Sequence, residues 1–204
     1  LRNPRLAATI AAKGIDASGK ATDDARITVE EFESMQVRPL LSYVFFDSAA
    51  SRIPARYQAL RADETATYSM DRLHESAGYD AYYNILNIIG LRLREHPASA
   101  IRVTGCNTGT GAEAGNLALS RGRAEAVAEY LATVWGIDRK RIAIDARGLP
   151  ENPSPSDDPD GISENRRVEI ASDNDVILDP IVTRSIERRV TPDIIRFLPA
   201  AESE

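Results

Sequence analysis

The chain has 204 residues, of which 43% are hydrophobic and 27% are charged. This is enough apolar material for a sizeable core, which excludes a chain that is disordered throughout. Lysine and arginine number 25 against 31 acidic residues, and the formal net charge of −6 argues against a general binder of nucleic acid or anionic membranes.

The chain carries one cysteine, Cys106, so it has neither an intrachain disulfide nor a multi-cysteine metal motif. No apolar run approaches the roughly 18 residues that a membrane-spanning helix needs. The first residue is Leu1, and no basic-then-apolar leader follows it. We expect a piece of a longer or processed protein, in which a missing signal peptide says nothing about export.

Changes in composition divide the chain into three stretches. Residues 1–38 are mixed, with an alternating apolar segment at 6–12 that is typical of a short strand. Residues 39–172 carry the strongest secondary-structure signals, and residues 173–204 return to a mixed, charged composition. We predict one domain at 39–172, an N-terminal extension that forms the edge of a preceding domain, and a C-terminal extension that begins a following one.

The middle stretch begins with a strand and a helix. Residues 40–46 are apolar and aromatic without a breaker, which predicts a buried strand. Tyrosines and aliphatic residues spaced three and four apart predict an amphipathic helix over 79–93, which Pro97 keeps from continuing. Residues 101–104 alternate in polarity and predict a second strand.

A glycine-rich turn over 105–115 leads into a second predicted helix. The apolar stripe of this helix runs over 124–135, and Gly136 stands where a C-terminal helix glycine is expected. Short apolar or alternating segments at 142–144 and 167–171 predict the last two strands.

The order of these elements is β-α-β-α-β-β, and it determines the expected fold class. A helix between two strands gives a right-handed crossover and parallel strands, whereas the last strand can return antiparallel. The sequence therefore predicts an α+β domain, with two main helices on one face of a small mixed four-stranded sheet.

Two motifs in this stretch have fixed spacings. The first spans the glycine-rich turn and the following helix, and its residues are Gly105, Gly111, Asn116, Leu119, Ser120, Arg123 and Ala124. The second is the run Asn165-Arg166-Arg167-Val168-Glu169. Over residues 40–172 this arrangement resembles the OmpA-like domain family, the peptidoglycan-binding module shared by peptidoglycan-associated lipoprotein and the MotB stator protein. The resemblance implies the two-layer OmpA-like fold and a periplasmic location associated with the outer membrane.

The resemblance also implies that the domain holds the stem peptide of peptidoglycan without a covalent bond. Arg123 occupies the family's arginine position, and its planar guanidinium can hold a ligand carboxylate with two hydrogen bonds. The family's aspartate, which accepts from the ligand ammonium, falls on Thr108, whose hydroxyl carries no charge. Because a lost charge-assisted hydrogen bond costs about 1.5–3 kcal/mol, we expect peptidoglycan binding to be weakened or lost.

Four further residues complete the implied ligand site. Asn107 lies in the turn, where it departs from the family's His-Thr pair, and Asp47 follows the first strand at the expected pocket rim. Asn116 and Arg166 match positions of the two motifs. Asn116 has an equally good interpretation as a helix cap, and Arg166 as a solvated charge on the sheet.

A dinucleotide-binding interpretation of the same turn is weaker. Residues 109–114 fit the loose pattern G-x-G-x-x-A between a strand and a helix, an arrangement that can cradle a phosphate. Asp145, the acidic residue that ends the next strand, lies farther along the chain than the usual separation of about 20 residues. The strands are also too few for a doubly wound sheet, so we expect no nucleotide and no other cofactor.

Catalytic and metal sites find little support. His74 and His96 are the only histidines, and neither has a partner at helical ligand spacing. Cys106 has no nearby histidine to activate it. Residues 157–161 are similar to part of a calcium loop, but Pro159 and the lack of a suitably spaced glutamate favour a turn. We expect a non-catalytic protein without a metal.

Two functions from different classes remain open. The first is a cell-envelope module that binds, or formerly bound, the peptidoglycan stem peptide within a larger outer-membrane-associated protein. The second is a structural or protein-interaction domain with envelope proteins as partners, which has lost the wall ligand because Thr108 stands at the family's aspartate position. In neither case do we expect nucleic acid as a partner or a membrane span.

Overall fold

The computed structural model describes residues 6–16, 18–22, 25–70 and 80–203. The predicted start of the first helix at Tyr79, and His74, lie outside the described residues.

The chain divides into two compact units. One combines Leu1–Gln36 with Thr183–Glu204, and the other is Val37–Val182. The second unit contains the whole predicted domain at 39–172 and continues past its C-terminal boundary.

The described residues form the following elements. The strands are β1 (Leu6–Ile15), β2 (Thr28–Arg38), β3 (Tyr43–Phe45), β4 (Ile101–Gly105), β5 (Ile142–Ala146), β6 (Arg167–Ser172), β7 (Ile181–Thr191) and β8 (Ile194–Ser203). The α-helices are α1 (Asp80–Tyr83), α2 (Ile85–Glu95), α3 (Leu117–Thr133) and α4 (Pro159–Glu164). Short 3-10 helices lie at Ala62–Thr67, Gly111–Glu113, Arg139–Arg141 and Asp175–Ile177. No helix in the described part of the chain is long and apolar enough to cross a membrane.

The Val37–Val182 unit is built on a four-stranded sheet with the strand order β3-β6-β4-β5. Strands β4 and β5 are parallel, and β6 runs antiparallel to both β3 and β4. In the centre, Val103 of β4 lies opposite Ile144 of β5 and Ile170 of β6. The predicted α+β fold with a mixed four-stranded sheet is confirmed.

Helices α2 and α3 pack on one face of this sheet. Their buried side chains, including Ile89 and Leu131, form a single core cluster with Val103 and other inward-facing strand residues. Helix α2 packs closely at Gly90 against Trp135, which follows α3, since an added Cβ would lie 2.4 Å from the Trp135 ring. A side chain at position 90 would therefore displace the Trp135 ring.

Helix α2 is buried on nearly all sides, whereas the sequence predicts an amphipathic helix with one solvated face. Every residue from Ile85 to Leu93 is buried. The outer side is covered by the segment after β6, where Ile177 is fully buried. The Arg92 guanidinium donates to the carbonyl oxygens of Ile177 at 3.1 Å and Asp179 at 2.7 Å. The apolar stripe in the sequence thus accounts for only one of the buried sides of α2, because residues 177–179 pack against another side.

Helix α3 begins at Leu117, seven residues before the start of its apolar stripe at 124. Asn116 is its N-cap, since the side-chain oxygen accepts from the backbone N–H of Leu119 at 3.0 Å. Beyond the other end, Gly136 has a φ of +68°, the left-handed conformation expected of a glycine that follows a helix.

The other unit consists of long paired strands from the two flanks of the chain. Strand β1 pairs antiparallel with β8, from Leu6 opposite Ser203 to Ile15 opposite Ile194. Strand β2 is the hydrogen-bonded neighbour of β7. The two flanks, which the sequence assigned to different neighbouring domains, therefore pair with each other.

Gly105→Ala is expected to lower the free energy of unfolding of the Val37–Val182 unit by about 3 kcal/mol. An added Cβ would lie 1.8 Å from the backbone carbonyl oxygen of Ser120, so α3 would have to move away from β4. Urea unfolding followed by fluorescence of Trp135, the single tryptophan, measures the loss. Gly148→Ala is the control, since its Cβ would meet nothing closer than 4.0 Å. Equal losses in the two variants would contradict this account.

Candidate functional site

The candidate site lies at the carboxyl end of β4, where the chain turns towards α3. The turn is attached to its neighbours through the backbone. The N–H of Cys106 donates to the carbonyl of Arg167 at 2.8 Å, and the N–H of Asn107 donates to that of Gly148 at 2.7 Å. The site is therefore anchored by the first residue of β6 and by the segment that follows β5.

Arg123 projects from α3 into this turn and is fully buried. Its Nε donates to the carbonyl of Ala50 at 2.9 Å, and Nη1 donates to that of Cys106 at 2.8 Å. Nη2 donates to the carbonyl of Asp47 at 3.2 Å. The remaining two N–H groups go to the Glu113 carboxylate, at 3.0 Å from Nη1 and 2.7 Å from Nη2. A guanidinium has five N–H donors, and here all five have internal acceptors.

Glu113 is the centre of the site. Its two oxygens receive the forked pair of hydrogen bonds from Arg123, and they also accept from two backbone N–H groups. Ala49 donates to Oε1 at 2.8 Å, and Thr108 donates to Oε2 at 3.3 Å. The carboxylate is thus held by charge and by hydrogen bonds from three other parts of the chain.

The surroundings of Glu113 act on its pKa in opposite directions. Burial by itself would raise the pKa of the carboxyl group. The hydrogen bonds from Arg123, Ala49 and Thr108, together with the charge of Arg123, outweigh burial and hold the pKa below its usual value of 4.5. Glu113 is therefore ionised at neutral pH, and it neutralises the buried guanidinium.

The sequence patterns do not single out Glu113, which enters them only as part of a loose nucleotide motif. The available signal is its position, a lone acidic residue in a glycine-rich turn, ten residues before Arg123. Because ten residues fit no helical or strand spacing, the contact between the two side chains depends on the tertiary fold.

Thr108 lies beside this pair and is 2% exposed. Its hydroxyl donates to the carbonyl of Thr110 at 2.9 Å and accepts from the N–H of the same residue at 3.2 Å. The Thr108 hydroxyl therefore forms hydrogen bonds within the turn, and the Thr108 backbone N–H donates to Glu113.

Asn107 is also buried and acts within the turn. Its side-chain nitrogen donates to the carbonyl of Asn116 at 3.1 Å and to the hydroxyl of Ser120 at 3.0 Å. Its side-chain oxygen accepts from the N–H of Gly109 at 2.8 Å. Asn107 and Asn116 thus tie the turn to the first residues of α3.

Arg166 and Asp47 lie at the rim. The Nε of Arg166 is 3.6 Å from Oε1 of Glu113, and this buried nitrogen has no hydrogen-bond partner among the described residues. The Asp47 carboxylate points away, is 65% exposed and pairs with Arg56 at 2.8 Å. The structure therefore gathers Arg123, Thr108 and Arg166 around Glu113, whereas Asp47 contributes its backbone carbonyl.

The candidate nucleophile Cys106 and the candidate calcium- and nucleotide-binding aspartates are engaged within the fold. Burial raises the pKa of Cys106 to about 12, so its thiol is protonated at neutral pH. Asp158 caps α4, accepting from the N–H of Asp160 at 3.1 Å, and Asp145 pairs with Arg102. Within the described ranges, no cluster of three or more His, Cys, Asp or Glu residues could hold a metal ion.

Residues 79–166 match the OmpA family. Over 88 residues the chain is 40% identical to the probable lipoprotein YiaD of Escherichia coli K12, an alignment that covers 43% of this chain and 39% of that protein. Over 90 residues it is 36% identical to the peptidoglycan-binding protein ArfA of Mycobacterium tuberculosis H37Rv, which covers 44% of this chain and 27% of ArfA. The matched segment thus spans well under half the length of either relative. The match at residues 79–166 confirms the prediction of an OmpA-like domain.

The chain also shows weak similarity to solved structures. It aligns with the peptidoglycan-associated lipoprotein of Burkholderia pseudomallei at 21% identity and a TM-score of 0.45, covering 65% of this chain and 90% of that one. It aligns with the C-terminal domain of Helicobacter pylori MotB at 20% identity and a TM-score of 0.44, covering 66% and 86%. The family assignment stands on the sequence match rather than on these alignments.

Glu113→Gln is expected to lower the free energy of unfolding by about 3 kcal/mol at pH 7, because it leaves the buried Arg123 charge without its counterion. Since the pKa of Glu113 is lowered in the folded state, its contribution is full above pH 4.5 and is lost as the pH falls through the folded value. The difference between wild type and variant should therefore shrink in acid.

Urea unfolding at a series of pH values between 7 and 3 measures this difference. Glu125→Gln is the matched control, because Glu125 lies on the exposed side of α3 and its pairing with Arg121 is long, at 3.9 Å. A pH-independent effect of Glu113→Gln, or the same effect in the control, would show that the buried pair is not the cause.

Proposed function

We propose that the OmpA-family domain of this chain is a non-catalytic cell-envelope module whose stem-peptide position is closed by its own side chains. Its role is structural, or docking to other envelope proteins, rather than tight anchoring to the wall. One observation carries the proposal: every N–H donor of Arg123 is bonded to an acceptor of the chain itself.

A ligand carboxylate could reach Arg123 only by displacing Glu113. That displacement breaks a buried, hydrogen-bonded ion pair and exposes the Glu113 carboxylate to water or to repulsion by the incoming anion. The ligand ammonium would meet Thr108 in place of an aspartate, and the Thr108 hydroxyl is already bonded to Thr110. Both halves of a zwitterionic ligand are therefore disfavoured.

Retained binding of peptidoglycan is the second candidate function. The unbroken turn-and-helix motif favours it, as does the 36% identity to a relative named as peptidoglycan-binding. The Nε of Arg166, which lies 3.6 Å from Oε1 of Glu113 and has no hydrogen-bond partner among the described residues, could donate to an anion that displaces Glu113. This function requires Glu113 to leave its place when the ligand enters.

We further propose a periplasmic location, associated with the outer membrane. The support is the family match at 79–166 and the 40% identity to a probable lipoprotein. The proposed module comprises the predicted domain at 39–172, with the paired flanks as a separate extension.

Sedimentation with purified peptidoglycan sacculi tests the closed site. The matching region of ArfA serves as the positive control, and we expect the wild-type chain to be retained at least tenfold less. The expected cause is the loss of free donors on Arg123, which removes the ligand carboxylate contact. Retention comparable to that of ArfA would contradict the proposal and establish the second candidate function.

Thr108→Asp tests whether restoring the aspartate that the family carries at this position is enough to restore binding of the stem peptide. The new carboxylate would lie beside that of Glu113, so we expect a loss of about 1–3 kcal/mol in the free energy of unfolding at pH 7 and no gain in sacculus retention. Acid should reduce the loss, because protonation of one carboxyl group removes the repulsion.

Thr108→Asn is the matched control, with the same size and no charge. A smaller loss for this variant at pH 7, and a smaller dependence on pH, is expected in urea unfolding. Identical behaviour of the Asp and Asn variants would mean that the two carboxylates do not interact, and stronger sacculus binding by Thr108→Asp would refute the closed site.

A further inference from the structure

The unit formed by Leu1–Gln36 and Thr183–Glu204, the flank unit, has almost no apolar core in its described part. Among those residues, Ile15 is the one large apolar side chain that is buried. The sheets of the described part are the two-stranded ribbons β1–β8 and β2–β7. Because an isolated two-stranded ribbon is at best marginally stable in water, these ribbons need a partner that covers their apolar side chains.

One face of the β2–β7 ribbon, the ribbon face, combines apolar side chains with an ion pair. Alternate residues of a strand share a face, and the Nε of Arg188 donates to Oε1 of Glu31 at 2.6 Å. On the other face, the hydroxyls of Ser34 and Ser185 form a hydrogen bond of 2.6 Å. These contacts place the odd-numbered residues of β2 beside the even-numbered residues of β7. The large apolar residues that this puts on the ribbon face, with exposed fractions of 45% to 61%, are Val29, Met35, Ile186 and Val190.

The ribbon face has the size of a weak interface. Four aliphatic side chains exposed by about half amount to roughly 400 Å² of apolar surface, which is the size of the largest, often functional, patch on a typical monomer. Stable complexes bury about 800 Å² per partner, whereas transient contacts are smaller. The ribbon face therefore fits a partner that is held by a weak, concentration-dependent contact.

The charges of the ribbon face indicate which partner fits it. Strand β2 contributes Glu31 and Glu33, and β7 contributes Arg184 and Arg188. A twofold axis parallel to the strands places the acidic β2 of one copy over the basic β7 of another, so the face is complementary to itself. A lipid surface would instead desolvate these charges without providing counterparts in the hydrocarbon. The pattern therefore favours a second copy of this chain over a membrane.

We propose that the ribbon face of β2 and β7 is an isologous interface, at which two copies of this chain stack face to face. The contact covers the aliphatic side chains of both ribbons. It also brings the two Glu31–Arg188 pairs together in reversed order, so that each charge has opposite charges in both copies. The interface uses no residue of the Arg123 site, and it does not depend on whether that site is closed.

Sedimentation equilibrium of the full chain over a series of concentrations measures this association. We expect the mass to rise with concentration from that of one chain towards that of two. Ile186→Ser removes an apolar contact of the ribbon face and should raise the dissociation constant about tenfold. Phe32→Ser is the matched control and should leave it unchanged, because Phe32 is 47% exposed on the opposite face of the same ribbon.

Charge reversal distinguishes an interface from a contact within one chain. Glu31→Arg makes the ribbon face more basic and Arg188→Glu makes it more acidic, so each variant alone should be monomeric. An equimolar mixture should form a heterodimer, because the basic face of one variant meets the acidic face of the other. A defect confined to the ribbon of one chain would persist in the mixture. Glu187→Arg, on the opposite face, should leave the association of the otherwise wild-type chain unchanged.

A wild-type chain that remains monomeric up to a concentration of about 1 mM would overturn the interface. Association that Ile186→Ser does not weaken, or a charge-reversal mixture that stays monomeric, would assign the contact to another surface and would also overturn it. Vesicles of phosphatidylethanolamine and phosphatidylglycerol test the remaining occupant. Sedimentation of the wild-type chain with these vesicles, without self-association, would show that the ribbon face binds lipid and not a second copy.

Discussion

The ion pair between Arg123 and Glu113 organises the Val37–Val182 unit at one end of its sheet. The guanidinium also bonds the carbonyl oxygens of Asp47, Ala50 and Cys106, so the loop after β3, the end of β4, the exposed turn and α3 all meet at one charge. A buried guanidinium is tolerated only when its donors and its charge are both matched. The positions of these segments are therefore constrained jointly, and no single contact among them can be altered without affecting the rest.

The same constraint determines what the site can do. A guanidinium that faces an open pocket is available to a ligand, whereas one already paired with an ionised carboxylate offers an anion no net gain until the resident group leaves. The threonine at position 108 acts in the same direction, because its hydroxyl closes the turn through Thr110. The turn thus directs its polar groups inward, towards one another and towards Glu113.

Local patterns in the sequence predicted the sheet, the second helix and the glycine that follows it, because alternation, helical spacing and φ preferences act over a few residues. They did not predict that α2 is buried on nearly all sides. The segment that covers its outer side is distant in sequence, since Ile177 lies 85 residues after Arg92, the α2 residue that donates to its carbonyl oxygen. Arg123 was identified by motif, but Glu113 was not, because only the tertiary fold brings a turn carboxylate to that guanidinium.

The pairing of β1 with β8 has a mechanical consequence. Leu6 and Ser203 lie opposite each other, so a pull that separates them loads the ladder at one end and breaks its hydrogen bonds one pair at a time. The strands that enter and leave the Val37–Val182 unit, β2 and β7, are likewise neighbours. Tension applied at Leu6 and Ser203 therefore opens the β1–β8 ribbon in the unzipping geometry, in which each rung bears the load alone before the next one does.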